Sequence, residues 1–265
     1  MKPSMFVASA AALALLVGCA TLPAKETAPA PDAAVLAPAP PSLDEVAFQV
    51  SLTDASLQSP ANVYKGLFPI SDRNRKLQWR DRTKKQQLKV VSLMSQSSYD
   101  KYYKGVTQGV TTGIYSWVTL APQVQEFCKA TGLTGDALET RLKEHLGLVP
   151  TNAYDMFVEF WVDRNDLFRP CPDPETNDTK CNVAFTEKNG MPVNPKVKGV
   201  DNYIGWFNDT YTASYAPGGA PWTRLGYTYD WNPDTPKYGA SEYLMTKGAP
   251  WEVVDAATID AYCAP

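Results

Sequence analysis

The side chains that could catalyse hydrolysis are few in this sequence. His145 is the only histidine, so any Ser-His-Asp triad would have to use it. No G-x-S-x-G motif supplies a nucleophile, and a single histidine also excludes zinc sites that need several. An imidazole in the last turn of a helix is favourable to the helix dipole without any catalysis. We therefore expect His145 to be structural.

A second catalytic pattern lies at residues 98–101. Ser98 and Lys101 match the S-x-x-K motif of penicillin-recognising enzymes, in which the lysine helps to activate the serine. The companion S-D-N and K-T-G motifs are absent from the sequence, and Lys247-Gly248-Ala249 is only a partial match. We expect this segment to be a polar helix start.

A reaction that needs neither histidine nor cysteine could use two carboxylates, as most glycoside hydrolases do. Several carboxylates lie near aromatic residues, whose rings pack well on sugars. The candidates are Glu159, Asp163, Asp166, Asp230 and Glu242. The sequence does not show which two of them would converge, and we therefore name no catalytic residue.

The segment between Cys171 and Cys181 could hold a cation. Its oxygen-bearing side chains stand at alternate positions, as at the start of a calcium loop: Asp173, Glu175, Asn177 and Thr179. An EF-hand would need Gly and Glu where this sequence has Asp178 and Ala184. We expect a solvated loop, with no metal or other cofactor; a looser calcium site is the alternative.

Large aromatic residues are concentrated in the C-terminal third of the chain. Leu225, Tyr227 and Tyr229 alternate as in a strand, so at least one face of that strand must be core. Core packing is therefore the leading interpretation. The alternative is an exposed surface for a glycan or a peptide. Its residues would be Trp206, Trp222, Tyr227, Tyr229 and Trp231.

Basic residues are concentrated between positions 73 and 89. They are Arg73, Arg75, Lys76, Arg80, Arg82, Lys84, Lys85 and Lys89. We interpret this basic cluster as a solvated edge balanced by acidic residues elsewhere; the alternative is contact with lipid headgroups or cell-wall carboxylates. The whole chain has a formal charge of -3 at pH 7, which lacks the asymmetry typical of nucleic-acid binding.

Hydrophobic periodicity predicts the elements that would position these residues. Strands are expected at 88–94, 114–120, 154–162, 223–231, 241–246 and 251–254. Helices are expected between Pro122 and Gly132, at 135–146 and near 255–263. The pattern fades between 163 and 222. The sequence therefore predicts an α+β domain with a mostly antiparallel sheet and two or three packed helices.

Residues 1–19 have the features of an export signal. Lys2 is followed by an apolar run, Met5 to Val17, that is shorter than the about 20 residues needed to span a bilayer. The closing residues Leu16-Val17-Gly18-Cys19 resemble the lipobox of bacterial lipoproteins. This resemblance implies cleavage before Cys19 and its acylation, which anchors the chain stably. In Gram-negative lipoproteins, Asp directly after the cysteine favours retention in the inner membrane. This sequence has Ala20 at that position, which indicates the outer membrane.

Residues that follow Cys19 predict the domain organisation. The chain is dominated by Ala and Pro up to about Ser42, a composition typical of a semi-rigid tether of about 50–70 Å. We therefore expect a signal peptide at 1–18, a lipidated cysteine with its tether at 19–42, and one globular domain at 43–265. That domain would face the periplasm or the cell surface.

The four remaining cysteines predict two disulfides, because an even number is typical of exported domains. Three connectivities are consistent with the count. Cys171 and Cys181 bracket a proline-rich polar loop, so we expect them to pair. Cys128 and Cys263 would then join the C-terminal end to an internal helix, and no free thiol would remain in the domain.

Export, a tether and a disulfide-bonded domain without a convincing catalytic set favour a non-enzymatic function. We expect a membrane-anchored envelope lipoprotein with a binding or structural role, whose partner is an envelope protein or cell-wall glycan. One alternative is a carboxylate-dependent glycan-processing enzyme. Another is an assembly factor for an envelope machine.

Overall fold

The computed structural model describes residues 40–111 and 116–264. The expected signal peptide, Cys19, most of the expected tether and the first residues of the strand expected at 114–120 lie outside these ranges. From Pro41 onward the chain forms one compact unit. No helix in the described ranges is long and apolar enough to cross a membrane.

The described residues form ten strands. They are β1 (Gln87–Met94), β2 (Gln108–Val110), β3 (Ser116–Leu120), β4 (Met156–Asp163), β5 (Leu167–Phe168), β6 (Glu187–Lys188), β7 (Met191–Pro192), β8 (Tyr227–Tyr229), β9 (Tyr238–Met245) and β10 (Pro250–Thr258). Eight of them form one sheet in the order β2-β10-β4-β1-β3-β9-β5, with β8 paired to β9. The strand pairings are antiparallel, which confirms the expected fold class.

Six α-helices accompany the strands in the described ranges. They are α1 (Leu43–Ser56), α2 (Gln96–Tyr102), α3 (Ala121–Thr131), α4 (Gly135–Leu146), α5 (Tyr203–Ser214) and α6 (Ile259–Cys263). Three of them, α3, α4 and α6, were expected. Helix α2 contains the segment expected to be a polar helix start, and α6 is shorter than expected because residues 255–258 belong to β10. The structure adds α1 and α5, so the helices outnumber the two or three packed helices that were predicted.

The central strands are covered on both faces. On one face, Val90 and Phe160 pack with side chains from the segment before β1, including Ile70. On the opposite face, Val91 and Phe157 pack against α3, α4 and α6. Because β4 is buried on both sides, its sequence is a nearly continuous apolar run rather than an alternating one.

Both expected disulfides are present. Cys128–Cys263 joins α3 to α6, and Cys171–Cys181 closes the loop after β5. The fully buried Arg169 donates to the Asp178 carboxylate at 2.5 Å and to the Asp178 carbonyl at 2.9 Å, so this loop is organised around a buried guanidinium as well as a disulfide.

Candidate functional site

A cavity of about 300 Å³ lies on the face of the sheet that carries α4. Strands β1, β3 and β9 contribute to its floor, and its walls include the C-terminal ends of α4 and α5 and the loop before β8. The lining residues are mostly apolar: Val91, Leu93, Trp117, Val118, Leu146, Leu148, Phe157, Ala220, Pro221 and Trp222. Hydroxyl groups come from Ser92, Thr119, Ser214 and Thr228, and a carboxyl group comes from Glu242.

The sheet register brings the floor residues together. Val91 on β1 lies opposite Thr119 on β3, and Thr119 lies opposite Glu242 on β9. Directly opposed residues of neighbouring strands project from the same face of a sheet. The three side chains therefore form one row across the cavity floor, with the carboxyl at one end.

Glu242 is a buried acid without a charged partner in the described structure. Its side chain is 6% exposed, and its Oε1 atom has no hydrogen-bond partner there. Burial raises its pKa well above the ordinary value, while the nearby indole N–H of Trp222 lowers it to a smaller extent. The neutral, protonated form of the carboxyl is therefore favoured, and in that form it can donate as well as accept a hydrogen bond.

Trp222 supplies a second buried polar atom. Its side chain is 5% exposed, and its Nε1 makes no hydrogen bond of normal geometry within the described residues. An unpaired buried donor costs free energy, because it has lost its hydrogen bonds to water. The cavity thus combines an apolar lining with two unsatisfied polar groups, a combination typical of sites that bind a small molecule in one orientation.

Trp117 forms part of the edge of this cavity. It is 41% exposed, and its ring meets that of Trp222 edge to face, with 6.1 Å between centroids. One tryptophan is therefore within reach of solvent and the other lies deeper. A ligand entering beside Trp117 would meet aromatic surface before it reached Glu242.

The five residues of the aromatic surface do not form one exposed surface. Trp222, Tyr227 and Trp231 are buried, while Trp206 and Tyr229 are half-buried. The hydroxyls of Tyr227 and Tyr229 and the indole of Trp231 donate to protein atoms. Core packing is thus the correct interpretation for most of the set, and Trp222 alone of the five lines the cavity.

Four of the five candidate carboxylates are engaged by a neighbouring side chain. Lys89 pairs with Glu159, Gln86 donates to Asp163, Lys198 pairs with Asp166, and Arg141 makes two hydrogen bonds to Asp230. Glu242 alone of the five lines the cavity.

The two candidates on the same sheet row are too far apart to act together. Glu159 lies opposite Val91, so the row runs from Glu159 through Val91 and Thr119 to Glu242. Three strand spacings separate the two residues by roughly 14 Å. Glycoside hydrolases place their two carboxyls about 5–10 Å apart, so Glu159 and Glu242 do not form such a pair.

His145 lies on α4 and belongs to a buried network of hydrogen bonds and ion pairs. Its Nδ1 lies 3.0 Å from Asp230 Oδ2, and its ring stacks on Phe127 with 3.5 Å between centroids. Burial lowers its pKa, although the hydrogen bond to Asp230 opposes that effect. Arg141 donates to the same Oδ2 atom of Asp230 at 2.7 Å. The arrangement ties α4 to the chain after β8, a structural role like the one expected.

The S-x-x-K segment lies on α2, as a short polar helix. Ser98 receives a hydrogen bond from the hydroxyl of Ser95, which also caps the helix. Lys101 is exposed and lies over the ring of Tyr102, 4.9 Å from its centroid. Neither Ser98 nor Lys101 lines the cavity.

The structure brings together three acidic side chains of the 171–181 loop. Carboxylate oxygens of Asp173, Glu175 and Asp178 lie within 4.8 Å of one another. Burial raises the pKa of Asp173 to about 6. Because the buried guanidinium of Arg169 already neutralises Asp178, we interpret the cluster as part of the loop's internal structure.

The basic cluster is partly balanced by acidic residues from other elements. Lys76 pairs with Glu126 and Arg80 pairs with Glu252, and both pairs are largely exposed. Exposed pairs of this kind contribute little to stability. The pairs agree with the interpretation of a solvated, balanced edge.

A second cavity, of about 320 Å³, lies between β5 and the 195–198 segment. Its lining includes the charged side chains of Glu175, Lys196 and Lys198, of which Lys198 is engaged by Asp166. Among its buried side-chain atoms in the described structure, the hydroxyl of Thr246 alone has no hydrogen-bond partner. The apolar cavity offers two such groups and is the stronger candidate.

Sequence reasoning named Glu242 and Trp222 for different reasons and missed Trp117 and Thr119. The alternation of side chains along β3 would have grouped Trp117 with Thr119, because these two residues share a face of that strand. Pairing β3 with β9 would have placed Thr119 beside Glu242.

Comparisons of the chain with family models, with curated proteins and with solved structures give no match.

Proposed function

We propose that this protein is an envelope lipoprotein whose domain binds a small, largely apolar molecule without changing it chemically. The observation that carries this proposal is the apolar cavity with two unpartnered buried polar groups, Glu242 Oε1 and Trp222 Nε1. The lack of a hydrogen bond of normal geometry at these two neighbouring groups costs about 1–3 kcal/mol, part of which a ligand with a matching polar atom would recover. The apolar lining supplies the remaining affinity.

The geometry supports binding better than catalysis. The glycan-processing alternative needs two neighbouring carboxyls, and the nearest candidate on the floor row is roughly 14 Å from Glu242. Binding to cell-wall glycan through an exposed aromatic surface loses support for a different reason, since Trp222, Tyr227 and Trp231 are buried. A function limited to binding a protein partner, or to assembly, would not explain the cavity.

Anchoring belongs to the same proposal. The lipobox-like residues Leu16–Cys19 support acylation of Cys19 and attachment to the outer membrane, and Ala and Pro up to Ser42 support a tether. The domain would then sample the space within about 50–70 Å of the bilayer. A binding protein placed there would meet small molecules that enter or leave the envelope.

The test is binding of a neutral apolar probe, 1-naphthylmethanol, to the full chain in nanodiscs of phosphatidylcholine. Ala220→Trp should obstruct the cavity wall and weaken binding at least about tenfold, since a side chain would fill space that the probe needs. Ala216→Trp, an exposed position of the same loop that does not line the cavity, is the matched control. Equal binding by both variants, or no binding by the wild type of this probe and of its amine and carboxylate analogues, would refute the proposal.

A further inference from the structure

We infer that the ligand of this cavity is an organic cation, an apolar molecule that carries one amine or ammonium group held against Glu242. This inference rests on the proposed binding function and names its ligand class. Three features of the cavity support it: the charge of its lining, the helix ends that meet there, and its aromatic rings.

The first feature is the absence of basic groups. Of the described residues that line the cavity, Glu242 alone is titratable, and none is a lysine, an arginine or a histidine. An anionic ligand would therefore find no counter-charge and would lie beside a carboxyl group. A cationic ligand would form a desolvated ion pair with that carboxyl, the strongest polar contact that this lining can offer.

The second feature is the meeting of two helix C-termini. Helix α4 ends at Leu146, with Gly147 as its cap, and α5 ends at Ser214; all three residues line the cavity. A helix C-terminus carries a partial negative charge of about half an elementary unit, which favours cations nearby. Both helix ends therefore add to the effect of Glu242.

Most basic residues near these helix ends are engaged by other groups. The last turn of α5 has none, and Arg224, whose guanidinium lies 4.6 Å from the ring of Tyr211 in that turn, donates to carbonyl oxygens of α1. In the last turn of α4, Lys143 pairs with Glu139 at 2.7 Å, and burial keeps His145 neutral by lowering its pKa. On β1, Lys89 is held by Glu159 at 2.8 Å.

The third feature is the pair of tryptophans. Trp117 and Trp222 line the cavity next to each other, and the face of an indole ring attracts a cation within about 6 Å of its centroid. A neutral ligand would use the apolar surface of these rings but not their electrostatic attraction. An amine uses both.

Binding of a cation has a consequence for protons. In the free protein, burial raises the pKa of Glu242 and favours its protonated form, and two phenols that interact with it electrostatically, Tyr215 and Tyr227, also have pKa values raised by burial. An ammonium ion stabilises the ionised carboxylate, so binding should release one proton to solvent. Affinity should then rise about tenfold per pH unit below the raised pKa of Glu242.

The experiment compares three probes of the same shape on the full chain in phosphatidylcholine nanodiscs. Calorimetry with 1-naphthylmethylamine, 1-naphthylmethanol and 1-naphthoate is run in two buffers of different ionisation enthalpy, with empty nanodiscs as the blank. We expect the amine to bind most tightly and to release about one proton. Glu242→Gln should weaken the amine at least about 30-fold more than the alcohol and abolish proton release, and this difference between the two probes separates loss of the charge from loss of the cavity.

The outcomes separate this inference from the proposed function. If the alcohol binds as tightly as the amine, if naphthoate binds most tightly, or if Glu242→Gln leaves amine binding unchanged, the ligand class is wrong although the cavity still binds ligands. If none of the three probes binds the wild-type chain, the proposed function fails and this inference fails with it.

Discussion

At the scale of single residues, Glu242 and Glu159 form an informative pair. Both lie on the same row of the sheet and are similarly buried, at 6% and 9% exposure. Glu159 forms an ion pair with Lys89 at 2.8 Å. Glu242 has no charged partner in the described structure, and burial raises its pKa. A buried carboxyl without a partner is a cost to folding that a purely structural position would not need.

This contrast gives a stability prediction. Glu242→Leu should raise the free energy of unfolding by about 1–3 kcal/mol, because it removes an unsatisfied polar group from an apolar site. The matched control, Glu159→Leu, should lower it by about 1–3 kcal/mol, because it leaves Lys89 without its partner in a mostly buried position. Denaturant unfolding at neutral pH measures both. A loss of stability in Glu242→Leu equal to that of the control would show that Glu242 has a structural role.

The sequence could name these two residues but could not distinguish them. Both were candidates because they stand near aromatic side chains. Their difference depends on which residues lie beside them in the sheet, and that is decided by the register of β1, β3 and β9. Local periodicity predicts which face a strand residue occupies but not its neighbour on the next strand.

At the scale of elements, one wall of the cavity was predictable and the other was not. Leu138 and Leu142 form the buried stripe of α4, and Gly147 ends that helix in a left-handed conformation at φ 65°, as the sequence predicts. Helix α5 was not predicted. Its residues include Gly, Thr and several aromatics, which have low helix propensity, and Tyr203 and Phe207 are its buried residues.

Helix α1 was missed for a different reason. Its buried face is narrow, with Phe48, Ser51 and Ala55, so it has little periodicity. Its start nevertheless carries a capping box, in which Ser42 and Glu45 bond each other's backbone N–H groups. That motif is readable in sequence and would have placed the helix. The disulfides, in contrast, were predicted from the number and spacing of the cysteines and from the loop that Cys171 and Cys181 bracket.

At the scale of the whole molecule, the proposed protein combines a membrane anchor with a ligand-binding domain. The anchor depends on residues 1–19, which lie outside the described ranges, and the domain depends on a cavity that no single segment forms. The proposed export signal lies within one short segment and could therefore be predicted from the sequence. The cavity needs strands β1, β3 and β9 and two helix ends to meet, and this is why sequence alone named only parts of it.

Anchoring predicts a simple labelling result. In a Gram-negative host that expresses the full chain, radiolabelled palmitate should be incorporated, and the chain should sediment with outer membranes. Cys19→Ser should lose the label and remain unprocessed. Cys171→Ser, which keeps the lipobox, should retain it. Label that persists in Cys19→Ser, or a wild-type chain without label, would contradict the lipoprotein assignment.

The most direct measurement is a structure of the chain with 1-naphthylmethylamine bound. The account predicts the naphthalene ring inside the cavity, against Trp222 and the floor row, with the amine nitrogen about 3 Å from the Glu242 carboxyl. An unoccupied cavity at saturating probe, with the ring bound elsewhere on the surface, would contradict the claim that this cavity is the ligand site.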